Sequence, residues 1–199
     1  EIALQNNKSI FVFDNNSQPS SRVAGGLYNP VVLKRFSEVW KAKEQIDFAF
    51  PLYHKMQSKL NVVFDFELPI LRKLYSAEEQ NNWFQAADKP NLAPFLDAKL
   101  VTSSYKYIAS PFHYGKVNHT GYLEISTLIE AYTKYLQDLN CFSNEGFNYD
   151  QIEFLEDGIQ YKNIKTLKKL NHNECIDAGL VSTVSYILIF CSILNLNYL

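Results

Sequence analysis

The sequence predicts a mixed α/β protein, α+β overall, in which short strands alternate with helices. Residues 9 to 13 (SIFVF) form a short β-branched and aromatic run, which is typical of a buried strand in a parallel sheet. Residues 126 to 139 place apolar side chains at helical spacing. Residues 99 to 114 are rich in Val, Thr, Tyr and Ile, which favour strands. Both kinds of secondary structure are therefore expected along the chain.

Composition limits the class of protein. The 199 residues are 47% apolar and 15% aromatic, enough to build a packed core in one domain or in parts of two. The net charge of −2 argues against a dedicated nucleic-acid binder and against electrostatic binding to a membrane. Cys141, Cys175 and Cys191 form no CxxC pair, which favours a reducing, cytoplasmic location. The four histidines have no metal-ligand spacing, so no metal site is predicted.

Three helices are predicted in the first half of the chain. Residues 1 to 7 resemble the last turns of a helix that two asparagines terminate. Residues 37 to 60 carry apolar residues at spacings of three, four and seven, and Pro51 predicts a kink or a break just before it. Residues 76 to 79 (SAEE) form a capping box, which predicts a helix of two or three turns after it.

Proline, serine and asparagine residues predict where the next strands and the next helix begin and end. Residues 62 to 74 are predicted to form two short strands or one bent strand, with Pro69 at an edge or bulge. Ser126 is the predicted N-cap of the helix described above, and Asn140 its end.

A hairpin and an apolar tail complete the chain. Asp157 and Gly158 lie between two strand-like runs in residues 147 to 165, and this dipeptide predicts a tight hairpin turn. Residues 178 to 199 carry no charge and have the length of a membrane span. Three serines, a threonine and two asparagines interrupt that run, so no membrane span is expected, although a tail-anchored protein remains an alternative.

The segment around Asp14 carries the chemistry. A buried strand ends at this acid, and in dinucleotide-binding folds the acid that ends the second strand accepts hydrogen bonds from the adenosine ribose. The glycine loop GxGxxG of such a fold stands roughly twenty residues upstream of the acid. The sequence contains no GxGxxG, so we expect a fragment that begins after that loop.

The following residues, SSRVAGGLYNP, suit an anionic ligand. Ser20 and Ser21 supply hydroxyl groups and Arg22 supplies a cation. The small residues 24 to 26 allow backbone N–H groups to approach a phosphate or a ring. The alternative is that the strand simply enters a turn at Asp14 and that the two glycines form an ordinary tight turn.

The segments FVFDNN and SSRVAGGLYNP together resemble the FAD-dependent oxidoreductases of the D-amino-acid oxidase and glycine oxidase type. The resemblance implies that Asp14 binds the FAD ribose and that Ser20, Ser21 and Arg22 lie near the phosphates. It implies that the flavin side is approached by Ala24, Gly25, Gly26 and Leu27. It also implies hydride transfer to FAD from a carbon bonded to nitrogen in a small-molecule amine or amino acid, and it identifies no catalytic residue in this chain.

The resemblance covers residues 1 to 165 and implies the domain organisation. It implies a partial Rossmann-like FAD-binding domain at 1–60, an inserted antiparallel substrate-binding sheet at 61–120, and a return helix and meander at 121–165. Residues 166–199 depart from the family pattern, and we expect a divergent or frame-shifted tail.

Two further readings stay open. The GLYNP ending is similar to flavin-dependent tRNA-modifying enzymes, which leaves a modified tRNA as a second substrate class. The chain is alternatively a non-catalytic remnant of the same fold that binds no cofactor tightly, since the phosphate-binding glycine loop is missing.

Overall fold

The computed structural model describes residues 1–17, 19–102, 108, 110–156 and 158–166. Within these ranges the protein is mixed α/β, with four α-helices and small, mainly antiparallel sheets. The predicted divergent tail lies outside the described residues, apart from residue 166.

The helices and strands of the described residues are short. The α-helices are α1 (Ile2–Gln5), α2 (Ala42–Leu60), α3 (Ala77–Ala87) and α4 (Ile125–Asp138), and two 3-10 helices span Pro19–Val23 and Tyr149–Gln151. The strands are β1 (Val12–Phe13), β2 (Leu27–Tyr28), β3 (Val31–Val32), β4 (Ser37–Glu38), β5 (Asp65–Glu67), β6 (Ile70–Lys73), β7 (Tyr114–Val117), β8 (Gly121–Leu123), β9 (Phe142–Ser143), β10 (Ile152–Leu155), β11 (Gly158–Tyr161) and β12 (Ile164–Thr166).

The chain forms two compact units. The first unit combines residues 1–21 with residues from 133 onwards, and the second unit consists of residues 22–132. The divisions fall inside the 3-10 helix Pro19–Val23 and inside α4.

The first unit contains a parallel strand pair and an antiparallel meander. β1 pairs parallel with β9, and β10, β11 and β12 pair antiparallel in chain order. The rings of Phe13, Phe147 and Tyr161 cluster beside these strands, with centroids 5.4 Å apart for the two phenylalanines and 4.3 Å apart for Phe147 and Tyr161. Such ring contacts bury apolar area and favour one relative orientation of the side chains.

The predicted hairpin is confirmed, except that Gly158 belongs to β11 and not to the turn. Leu155 of β10 pairs with Gly158. Residue 157 itself lies outside the described residues. The side chains of Ile159 and Tyr161 in β11 are buried.

The second unit is built around Trp83 of α3. The Trp83 side chain is fully buried, and its Nε1–H donates to the Asp97 carbonyl oxygen at 2.9 Å. The Phe36 ring meets the indole edge-on at a centroid distance of 5.4 Å. Gly115 of β7 is required beside the indole, because a Cβ at this position would lie 2.5 Å from the ring atoms of Trp83.

Helix α2 corrects one prediction. No break occurs before Pro51, since the helix runs without interruption from Ala42 to Leu60. Residues 37 and 38 form strand β4 rather than the start of this helix. Proline removes one backbone hydrogen bond, whereas the helix buries Ala42, Ala49 and Leu52 along its length. Packing of this buried face therefore outweighs the local preference of Pro51.

Helix α3 begins as the capping box predicts. The Ser76 hydroxyl accepts a hydrogen bond from the Glu79 N–H at 3.0 Å, and the Glu79 carboxylate reaches back to the Tyr75 N–H at 2.8 Å. The two predicted strands before it, β5 and β6, are present on either side of Pro69.

The prediction of Ser126 as an N-cap is wrong. Helix α4 already begins at Ile125, and the Ser126 hydroxyl donates instead to the Arg22 carbonyl oxygen at 3.3 Å. The predicted end is confirmed to within two residues, because α4 ends at Asp138 and Asn140 then takes a left-handed φ of 55°.

No helix in the described part of the chain is long and apolar enough to cross a membrane. Residues 178–199, on which the tail-anchored alternative depends, lie outside the described residues.

The two tryptophans provide a matched test of the core. Trp83→Ala is expected to lower the free energy of unfolding by about 3–5 kcal/mol, because it leaves a cavity at the centre of the second unit. Trp40→Ala removes the same group from a side chain that is 56% exposed, and it should cost less than about 1 kcal/mol. Urea unfolding followed by circular dichroism measures the free energy of unfolding of both variants. Equal losses would contradict the central position of Trp83 in the core.

Candidate functional site

Asp14 stands at the carboxyl end of β1, where the parallel pair ends. Its N–H donates to the Ser143 carbonyl oxygen at 3.1 Å, which fixes the backbone against β9. Its Oδ1 accepts the Asn16 N–H at 2.9 Å, which fixes the carboxylate. No described residue donates a hydrogen bond to Oδ2. Oδ1 of Asp14 is thus held in place, and Oδ2 keeps its acceptor capacity toward the described residues. In open α/β folds, ligands bind at the carboxyl ends of parallel strands, which is where Asp14 stands in this two-stranded pair.

A second acid at this edge already accepts two hydrogen bonds from other side chains. Glu145 accepts hydrogen bonds from the Ser143 hydroxyl at 2.9 Å and from Lys162 Nζ at 2.6 Å, one on each carboxylate oxygen. These bonds, that of Lys162 first, hold the pKa of Glu145 below its ordinary value. Asp14 therefore has more unused acceptor capacity than Glu145 toward the described residues.

The two predicted phosphate-side serines lie in the 3-10 helix Pro19–Val23. The Ser20 side chain is exposed and that of Ser21 is half-buried. Neither hydroxyl forms a hydrogen bond with another described residue, so both retain their donors for a ligand.

Arg22, in contrast, is engaged within the second unit. Its Nη1 lies 3.0 Å from Glu130 Oε1, and the Glu130 side chain is 67% exposed. Exposed ion pairs of this kind contribute at most about 1 kcal/mol, so a phosphate would compete with Glu130 for the guanidinium at small cost. Arg22 could therefore bind an anionic ligand, but in this structure its guanidinium pairs with Glu130.

The two glycines have different surroundings. Gly26 has a left-handed φ of 61°, and a Cβ at this position would overlap the Leu123 carbonyl oxygen of β8. The Leu123 N–H also donates to the Gly26 carbonyl oxygen at 3.0 Å. Gly25 and Ala24 are exposed, and a Cβ at Gly25 would make only an ordinary contact with Leu27 Cγ at 4.0 Å. Close strand packing thus accounts for Gly26 without a ligand, whereas Gly25 is open to one.

Leu27 belongs to an apolar row on one face of the β2–β8–β5 sheet. The strand register aligns Leu27 with Tyr122 and Tyr122 with Phe66. The rings of Phe66 and Tyr122 stack at 5.0 Å with an interplanar angle of 16°. The Leu27 side chain is 81% exposed and that of Phe66 is 37% exposed, so a planar group has an apolar surface to lie on.

Sequence reasoning missed Phe66 and Tyr122 as members of this row. Their signal was the alternation in DFE and GYL, where an aromatic side chain stands between two residues that face the other way.

The opposite face of the same sheet is occupied by protein contacts. The Tyr28 hydroxyl donates to Asp65 Oδ1 at 2.9 Å, and Gly121 leaves room for the Tyr28 ring. Burial of the phenol and this hydrogen bond raise the pKa of Tyr28 far above its ordinary value. The hydrogen bond links the Tyr28 side chain of β2 to Asp65 of β5.

No cluster of three or more His, Cys, Asp or Glu side chains suited to a metal ion is found among the residues that the structure describes. No protein-family model matches the chain, and no solved structure matches it significantly. The family resemblance drawn from the sequence therefore stays a prediction.

The two glycines generate a matched test. Gly26→Ala is expected to destabilise the protein by at least about 2 kcal/mol, because it combines a left-handed backbone with overlap against β8. Gly25→Ala should change the free energy of unfolding by less than about 0.5 kcal/mol. Urea denaturation of the two variants measures the difference. Equal stability of the two variants would contradict the close packing of β2 on β8.

Proposed function

We propose that this chain carries part of an FAD-dependent oxidoreductase that oxidises the C–N bond of a small-molecule amine or amino acid. The observation that carries the proposal is the Asp14 carboxylate, which is fixed at the carboxyl end of a parallel strand and has an oxygen to spare. That is the position and the chemistry of a ribose-binding acid.

The chain order supports a partial Rossmann-like layer. After β1 the chain passes through the second unit, continues into α4, and enters β9, which pairs parallel with β1. A helix that precedes a parallel neighbouring strand is the usual crossover connection of such layers. The three-stranded meander of β10 to β12 then follows in the same unit.

The first unit has groups that fit the adenosine and phosphate parts of FAD. The Asp14 carboxylate would accept hydrogen bonds from ribose hydroxyls, and such charge-assisted bonds are the stronger kind. The free hydroxyls of Ser20 and Ser21 would donate to phosphate oxygens.

In the second unit, the resemblance assigns Arg22 to the phosphates and residues 24 to 27 to the flavin side. The exposed Gly25 backbone and the apolar row of Leu27, Tyr122 and Phe66 are compatible with a planar ring.

When bound, FAD supplies the two-electron acceptor for the reaction. The protein's part is to bind the cofactor, exclude water and orient the substrate carbon. No catalytic base is assigned, since a neutral substrate amine needs none for loss of a hydride.

Titration of the purified chain with FAD, followed by flavin fluorescence, tests the proposal. Saturable binding is expected, and Asp14→Asn should weaken it roughly tenfold, because a neutral amide is a weaker acceptor for ribose hydroxyls than a carboxylate. The matched control is Asp138→Asn, which makes the same change in an exposed acid at the end of α4 and should leave the affinity unchanged.

ADP and riboflavin make the test specific to the ribose. ADP contains the adenosine ribose and should lose affinity in Asp14→Asn, whereas riboflavin lacks it and should not. Absence of saturable FAD binding would favour the non-catalytic remnant. FAD binding that Asp14→Asn leaves intact would contradict the assignment of Asp14.

A further inference from the structure

A cavity of about 380 Å³ opens beside α3 in the second unit, and its lining includes none of the residues proposed for the FAD site. The β3–β4 hairpin loop contributes Lys34, Arg35 and Phe36 to its lining, and α3 with the residues after it contributes Glu79, Ala86 and Lys89. Three cations from two different elements therefore surround one small cavity.

These cations are not neutralised by the protein. Within the described ranges, Lys34, Arg35 and Lys89 form no ion pair. A cluster of like charges without counter-ions is mildly unfavourable for the free protein, and an anionic ligand would relieve the repulsion.

The acid in the lining is already satisfied. Glu79 Oε1 lies 2.6 Å from Arg72 Nη2, and Oε2 accepts the Tyr75 N–H at 2.8 Å. Both carboxylate oxygens thus have donors, and the charge of Glu79 is balanced by Arg72. The cavity keeps the net positive charge of Lys34, Arg35 and Lys89.

The floor of the cavity is formed by buried core residues. The Phe36 side chain is 9% exposed and packs edge-on against the buried Trp83, while Ala86 is 3% exposed. Both residues belong to the hydrophobic core, which anchors the loop that carries Lys34 and Arg35. The Asn82 and Gln85 side chains of α3 add amide donors to the lining.

We infer that this cavity binds the phosphate group of a small-molecule phosphate ester. Lysine and arginine side chains with amide donors are the groups that recognise phosphate, and the volume suits a small ligand. An extended nucleic acid fits less well, because the chain has a net charge of −2 and acids stand close in sequence, Glu38 after the hairpin loop and Asp88 next to Lys89. The inference is independent of the proposed FAD site.

Isothermal titration calorimetry of the full chain with inorganic pyrophosphate, in the absence of flavin, tests the inference. Saturable binding is expected, and Arg35→Gln and Lys89→Gln should each weaken it by roughly tenfold. The matched control is Lys55→Gln, an exposed cation on α2 outside the cavity, which should leave the affinity unchanged. Arg35 and Lys89 line the cavity and are not residues of the proposed FAD site, so losses in these two variants place the bound pyrophosphate in the cavity.

Three results would overturn the inference. The first is the absence of saturable pyrophosphate binding by a chain whose circular dichroism is native. The second is an equal loss in Lys55→Gln, which would indicate nonspecific attraction. The third is tighter binding of a short single-stranded DNA than of pyrophosphate, which would assign the cations to a nucleic-acid surface instead.

Discussion

The parallel pairing of β1 with β9 is the constraint on which the first unit and its candidate site depend. Only two residue pairs define it, Val12 with Phe142 and Phe13 with Ser143, yet it joins segments that the whole second unit separates in the sequence. Closing so long a loop costs conformational entropy, and two backbone pairs alone contribute little against that cost. The aromatic contacts of Phe13 with Phe147 and Tyr161 supply additional apolar burial at the same place.

In the second unit, glycine determines how closely the elements approach. A Cβ on Gly115 would meet the Trp83 indole, and one on Gly121 would overlap the Tyr28 hydroxyl and the Phe66 carbonyl oxygen. Small sheets of two or three strands bury little area by themselves, so close contact with side chains of other elements is what stabilises them. Close packing also accounts for Gly26, so the AGG segment by itself is weak evidence for a ligand.

Local signals predicted what local forces determine. The capping box at Ser76 and the strands on either side of Pro69 are set by nearby hydrogen bonds and by proline itself, and the sequence was sufficient for them. Of the two effects predicted for Pro51, the break is absent, because packing of a buried helix face keeps α2 continuous. The N-cap predicted at Ser126 was wrong, because its hydroxyl donates to the distant Arg22 carbonyl oxygen. Asp14 could be chosen from the sequence as a strand-end acid, and its carboxylate is held by the local Asn16 N–H. Its backbone bond to the distant Ser143 comes from the fold and could not be predicted.

In the proposed function, Asp14 at the carboxyl end of the β1–β9 pair binds the ADP part of FAD. Hydrogen–deuterium exchange with and without saturating ADP measures this binding. Added protection is expected for the backbone amides in residues 12–16 and 142–146, with the Asn16 amide included, and it should be lost in Asp14→Asn. Protection confined to the loop that carries Lys34 and Arg35 would contradict the role of Asp14 and would place ADP in the basic cavity alone.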